Sequence, residues 1–344
     1  MIRTVLHDLT MLYQIISLLL EVVTGVVGGS CLLRLYMQQQ RIPMSARSGN
    51  PLGRFVFGLT DWLVLPLRRV LPARGLTMVG PFCFVDQFGP GHLEIGLGMD
   101  VRPHPHIGLS TVTYLFEGAI EHRDSLGSFA TIHPGAVNLM TAGKGIVHSE
   151  RSPQSERDKG APIYGMQTWL ALPDGMEEID PAFEQVMPDR LPIVSDTGVQ
   201  ARVIMGNLWG QTAATTCHAP TIYADIVLEA GGSIPIDAEA DERAVMLVGG
   251  SADISGEEME LYALYVLRPG HAATLLSNSG GRVMLMGGQD FPTARRVWWN
   301  FVSSRQSRID QAVMDWTEGR FPMVENDPEF IPLPQTPLTN SDPI

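Results

Sequence analysis

The sequence predicts a mainly β protein behind an N-terminal hydrophobic helical segment, and three observations carry that prediction. From about residue 76 onward, short apolar runs are broken at strand spacing by glycine and proline. The chain holds 35 Gly and 25 Pro, a supply of turn residues suited to many short strands. Residues 11–33 form one long apolar run with a single acidic residue, Glu21. At 344 residues, 44% hydrophobic and 18% charged, the chain has length for two or three domains and a sizeable core. A net charge of −13 excludes a general nucleic-acid binder, because neutralising phosphates needs a basic surface, while local docking onto a basic protein stays open. Cys31, Cys83 and Cys217 are odd in number and far apart, which predicts a reduced compartment and no disulfide framework.

The front segment has the length needed to cross ~30 Å of hydrocarbon and is expected to be a transmembrane helix. Glu21 costs it roughly 2.5–3.5 kcal/mol on insertion scales unless protonated or paired. Arg34, Arg41, Arg47, Arg54, Arg68 and Arg69 follow the run and Arg3 precedes it, so the positive-inside tendency places the rest of the chain in the cytoplasm. Leu52–Leu71 mixes Phe55, Phe57 and Trp62 with Arg54, Arg68 and Arg69, as an interfacial or re-entrant helix does. With Gly-Asn-Pro-Leu (49–52), Leu-Thr-Asp-Trp (59–62) and Pro-Leu-Arg-Arg-Val-Leu-Pro (66–72), residues 10–73 resemble the YggT family of small bacterial membrane proteins. That resemblance implies a membrane location, with the remaining chain tethered to the inner membrane.

The elements that follow read as strands and turns. Ser110–Phe116 alternates as a strand, Glu117-Gly118 turns it, Ile120–Arg123 returns, and Asp124–Gly127 turns again. His122 and Asp124 are expected on a solvated strand edge. His133-Pro134-Gly135 is a turn. The run Thr-Ala-Gly-Lys-Gly (141–145) lacks phosphate-loop spacing and is expected to let backbone pass close by. Residues 153–162 read as a loop and Ile163–Leu172 as a core strand, with Tyr164, Met166, Thr168 and Leu170 on one face. The Pro-rich, acidic stretch Pro173–Pro192 is expected to cross between two barrels. From Val199 to Phe291 the strand texture repeats, including Ala244–Gly249, Tyr265–Gly270 and Val283–Gly288. Trp298, Trp299 and Trp316 are expected to pack a core around an amphipathic helix that includes Ser307–Trp316.

Two i, i+2 pairs carry the chemistry: His104 and His106 in Arg-Pro-His-Pro-His-Ile-Gly (102–108), and His148 and Glu150 in Gly-Ile-Val-His-Ser-Glu-Arg (145–151). Alternate strand residues face one side, so each pair aims two donors together. Three imidazoles and a carboxylate favour iron, manganese, nickel, copper or zinc over calcium or magnesium, and leave octahedral positions open for substrate or dioxygen. The remaining histidines show no comparable pairing, and the second half has neither His-x-His nor His-x-Glu, so a second metal site is not expected there.

From about Leu67 the chain resembles the pirin family. The resemblance rests on Val-Gly-Pro-Phe-Cys-Phe-Val-Asp-Gln-Phe-Gly-Pro (79–90), Met99–Gly118 and Met-Thr-Ala-Gly-Lys-Gly-Ile-Val-His-Ser-Glu (140–150). It implies a bicupin, two tandem β-barrels, here divided as 1–75 for the membrane-associated segment, 76–192 for the metal-binding cupin and 193–344 for a degenerate cupin with a C-terminal helix and tail. It also places the family's Fe(II) ligands on His104, His106, His148 and Glu150. The activity implied is dioxygen-dependent cleavage of a flavonol such as quercetin, with Glu150 as catalytic base. The alternative is a non-enzymatic, iron-dependent regulator that docks onto a protein partner.

Overall fold

The computed structural model describes residues 78–334 together with Gly25, Val26 and Leu33. The expected helices over 11–33 and Leu52–Leu71 lie outside the described residues. No described helix is long and apolar enough to cross a membrane.

The first barrel is a sandwich of two antiparallel sheets. One sheet runs in the order β1 (Phe82–Leu93), β8 (Ala161–Ala171), β3 (Leu109–Glu117), β6 (Val137–Thr141), β9 (Ala182–Val186). The facing sheet has the order β2 (Asp100–His106), β7 (Ile146–Arg151), β4 (Ile120–Asp124), β5 (Phe129–Ile132). The strand and turns expected between Ser110 and Gly127 are present. Two expectations fail. Residues 153–162 contain a one-and-a-half-turn helix, α1 (Gln154–Lys159), stitched by Gln154–Asp158 and Lys159–Glu156 contacts. The stretch 173–192 is not only a crossover, since Ala182–Val186 pairs with β6 along its whole length. Its acidic, Pro-flanked sequence hides an edge strand, where pairing on one side suffices.

The second barrel repeats the plan. Its larger sheet has the order β10 (Ile193–Asp196), β11 (Val199–Met205), β14 (Thr221–Leu228), β21 (Gly281–Gly288), β16 (Glu242–Gly250), β19 (Leu264–Leu267). Its smaller sheet has the order β15 (Ser233–Ile236), β20 (Ala273–Leu276), β17 (Asp253–Ile254), β18 (Glu257–Glu258), and β12 (Asn207–Leu208) with β13 (Gln211–Thr212) forms a small hairpin. One apolar core runs through both barrels, joining Val79, Phe82, Val112 and Val137 to Val199, Val203, Ile226, Val245 and Leu285. A polar rivet crosses it: Tyr114 Oη donates to Asp225 Oδ2 at 2.8 Å, and Arg282 grips both oxygens of that carboxylate at 2.8 and 2.6 Å.

The chain then returns to the first barrel. β22 (Arg296–Trp298) and β23 (Phe301–Ser303) form a hairpin leading into α2 (Gln306–Thr317). Phe301, Ile309, Ala312, Trp316 and Phe321 pack on Ile107 and Val147, with Trp298 and Trp299 against them, so the tryptophans serve packing as expected. Gly108, at φ +69°, is where β23 presses closest: a Cβ there would collide with the Val302 carbonyl. Beyond α2, Ile331 N–H donates to the Pro103 carbonyl at 2.8 Å, fastening the tail to β2 beside His104.

Candidate metal centre

The Pro-His-Pro-His stretch is tolerated as a strand because β2 lies at a sheet edge, where missing N–H groups cost no ladder bonds. Val101 faces Glu150 and His104 faces His148, so β2 carries one extra residue between the two pairings, a bulge at Arg102-Pro103. On the other side of β7, Asp124 faces His148 and His122 faces Glu150. Three neighbouring strands thus deliver His104 and His106, His148 and Glu150, and His122 and Asp124 to one inner face.

All four expected donors are buried: His106 and His148 are each 1% exposed, Glu150 5% and His104 8%. Donor atoms of His104, His106 and His148 all lie within 4.8 Å of one another, and the His106 and His148 Nε2 atoms are 3.1 Å apart. Burial holds all three imidazoles below their ordinary pKa, well below for His106 and His148, with neighbouring histidines adding to the effect in each. They are therefore neutral at neutral pH, the form that binds a metal. His104 Nδ1 faces the Arg102 carbonyl at 2.9 Å, which leaves its Nε2 lone pair free. Nδ1 of His148 is buried and makes no hydrogen bond, and the Nε2 atoms of His106 and His148 converge at 3.1 Å, close enough for both to turn to one ion. The donor set fits a divalent first-row ion.

Glu150 is held differently. Its carboxylate receives Gln167 Nε2 at 3.0 and 3.1 Å and Thr113 Oγ1 at 3.3 Å from the facing sheet. Its donor atom clusters with those of His148 and His122. Here the structure corrects the expected solvated edge: His122 is 3% and Asp124 1% exposed. His122 Nε2 lies 3.1 Å from Asp124 Oδ2, and its ring stacks on Phe183 at 4.4 Å and 13°. Asp124 Oδ1 accepts the Leu126 and Ser128 N–H groups at 2.9 and 3.0 Å. Burial by itself would raise the Asp124 pKa, but the His122 and backbone hydrogen bonds bring it below the ordinary value.

The sequence pattern also passed over Thr113, Gln167 and Trp169. On β8 it singled out the face of Met166, Thr168 and Leu170, whereas the opposite face meets the donor cluster: Gln167 reaches Glu150 and Trp169 meets His106 edge-on at 5.1 Å. The available signal was the alternation itself, since Gln167 is a polar residue one step from Trp169 on the same side. The expected close backbone passage at 141–145 is present: Gly143, at φ +50°, leaves no room for a Cβ against the Ile179 carbonyl, and Lys144 pairs with Asp180 at 2.5 Å. Cys83 and Cys217 are free thiols, and burial pushes the Cys83 pKa up to about 12, which removes it from nucleophilic chemistry.

Two fused antiparallel barrels, with a buried cluster of imidazoles and a carboxylate that could hold a metal ion in one and none in the other among the described residues, define a tandem cupin. Residues 64–170 match the pirin family and 223–322 the pirin C-terminal cupin domain. A pirin-like protein of Caulobacter vibrioides is 45% identical over 272 residues, 78% of this chain and 93% of that protein. The chain belongs to the pirin family. Residues 9–79 match the CCB3/YggT family. The 1.78 Å crystal structure of a quercetin 2,3-dioxygenase from Acinetobacter baumannii superposes with a TM-score of 0.72 at 36% identity, covering 78% of this chain and 89% of that one. A second Acinetobacter baumannii structure of the same name, 24% identical with a TM-score of 0.68, shares the fold over 71% of this chain and 87% of its own.

Proposed function

We propose that the first barrel is an Fe(II)-dependent dioxygenase site for a flavonol-like substrate, with His104, His106, His148 and Glu150 as the ion's ligands. The observation that supports it most is the buried cluster of three neutral imidazoles beside a carboxylate, in a chain related to a quercetin 2,3-dioxygenase. A bound divalent ion supplies Lewis acidity that lowers the pKa of a coordinated hydroxyl. Glu150 accepts the hydroxyl proton, while Thr113 at Oε1 and Gln167, which reaches both oxygens, keep the carboxylate oriented. Trp169, edge-on to His106, gives a planar ring an apolar wall and keeps water away.

The deep burial of the donors is the observation that favours the second reading, a regulator that binds iron without turning over a flavonol and presents its surface to a protein partner. Dioxygen uptake by the anaerobically Fe(II)-loaded chain with quercetin, beside a His148→Ala variant, separates the two. Turnover that disappears in the variant is expected. Stoichiometric iron with no dioxygen uptake would transfer the assignment to the regulator. The tether to the inner membrane through residues 11–33 belongs to the same proposal and rests on the sequence of that segment and its family match.

A further inference from the structure

The chamber contains more donors than one ion of the expected kind uses. Two clusters are present, His104 with His106 and His148, and His122 with His148 and Glu150, and His148 belongs to both. The second cluster has two imidazoles and one carboxylate. That is the donor pattern with which non-haem oxygenases hold Fe(II) while leaving a face of the ion open. Its members come from facing positions, Glu150 opposite His122 on β7 and β4, with His148 two residues from Glu150 on the same face.

His122 carries the marks of a prepared ligand. Metal-binding histidines commonly give their second ring N–H to a carboxylate, which fixes the tautomer and turns the other nitrogen toward the ion. Among the chamber's imidazoles His122 is the one so furnished: Asp124 Oδ2 sits 3.1 Å from Nε2, and Asp124 is itself pinned by two backbone N–H groups. With the proton on Nε2, Nδ1 keeps its lone pair. The Phe183 stack fixes the ring plane of a side chain that is only 3% exposed.

We infer that His122, His148 and Glu150 form a second position for the ion, overlapping the position proposed above and sharing His148 and Glu150 with it, so that one chain holds one ion in either place. The inference deepens the proposed function by giving the ion a position with open faces, and it rests on the metal-binding part of that reading. Movement between the two positions would require that His104 and His106 release the ion and His122 takes it up, while His148 and Glu150 retain it.

The test uses Mn(II) alone and reads binding rather than turnover. Loss of the free-ion EPR signal is followed for the full chain, for the His104→Ala, His106→Ala double variant, and for that variant carrying Asp124→Asn or His122→Phe. The full chain is expected to take up one ion and the double variant still one, more weakly. Asp124→Asn keeps the shape of the side chain but presents an amide N–H to His122 Nε2, which drives the ring proton onto Nδ1, and should weaken the remaining binding by roughly 10- to 100-fold. His122→Phe keeps the stack on Phe183 and should abolish it. Pulsed EPR of the double variant should show two bound imidazole nitrogens. An ion-free double variant, a remaining affinity indifferent to Asp124→Asn, or two ions on the full chain would overturn the inference. If His122→Phe fails to fold, the Asp124→Asn result decides. Because dioxygen uptake is not read, failure here leaves the activity assignment standing, and failure of that assignment leaves this test intact.

Discussion

Glu150 shows how one side chain is asked to do two things. It is buried, it is expected to bind the ion, and Gln167 spreads its amide across both carboxylate oxygens. Replacing it with glutamine keeps the volume and an acceptor for Gln167 but removes the base. Glu150→Gln is expected to retain metal within about tenfold and to lose turnover by roughly 10²- to 10⁴-fold, the usual share of a positioned general base. Metal content by mass spectrometry alongside dioxygen uptake checks this, and full activity in the variant would remove Glu150 from that role. At this scale the sequence was informative but incomplete. His104, His106, His148 and Glu150 announce themselves because i, i+2 spacing on a strand is visible in one dimension. His122 forms just such a pair with Asp124, yet its meaning depends on β4 lying in register beside β7, and register between strands is not written in either strand alone.

Among elements, β2 and β7 hold the donors and are braced from outside by the end of the chain. Arg151, next to Glu150, reaches Asp327 at 2.9 Å, Glu329 at 2.6 Å and Asp100 at 3.2 Å, and the Asp327 side chain is 5% exposed. Arg151→Met would leave that nearly buried carboxylate without its cation, at a cost of about 1–3 kcal/mol. A lower urea midpoint with an unchanged slope is the expected reading, and an unchanged midpoint would show that the brace contributes nothing. Strands with an alternating or apolar pattern, such as β3 and β21, were legible because their pattern is set by burial. β9 and α1 were not: β9 is short, flanked by proline and acidic, and α1 has no buried residue to give it an apolar face.

For the whole molecule, the buried imidazoles couple stability to pH. His104, His106 and His148 sit below their ordinary pKa in the folded chain, so as pH falls through about 6.5 the unfolded chain takes up protons that the folded chain does not. The unfolded state then binds more protons and stability rises with pH, by up to about 1.4 kcal/mol per pH unit for each such group. The metal-free chain should therefore melt at its highest temperature above pH 6.5 and lose stability progressively below it. Calorimetry across pH 5–8 checks the slope, which should flatten in a His106→Gln, His148→Gln double variant. A slope unchanged by those substitutions would place the linkage elsewhere.

The single core shared by the two barrels has a bearing on how such a molecule can change over generations. The second barrel holds no cluster of its own among the described residues, but Val199, Ile226 and Leu285 belong to the same apolar core as Val112 and Val137, and Asp225 holds the Tyr114 hydroxyl. A barrel without a donor cluster is therefore not free to be discarded. Deleting it would strip the first barrel of part of its interior, so substitution in the second barrel is freest at residues that face away from the shared seam.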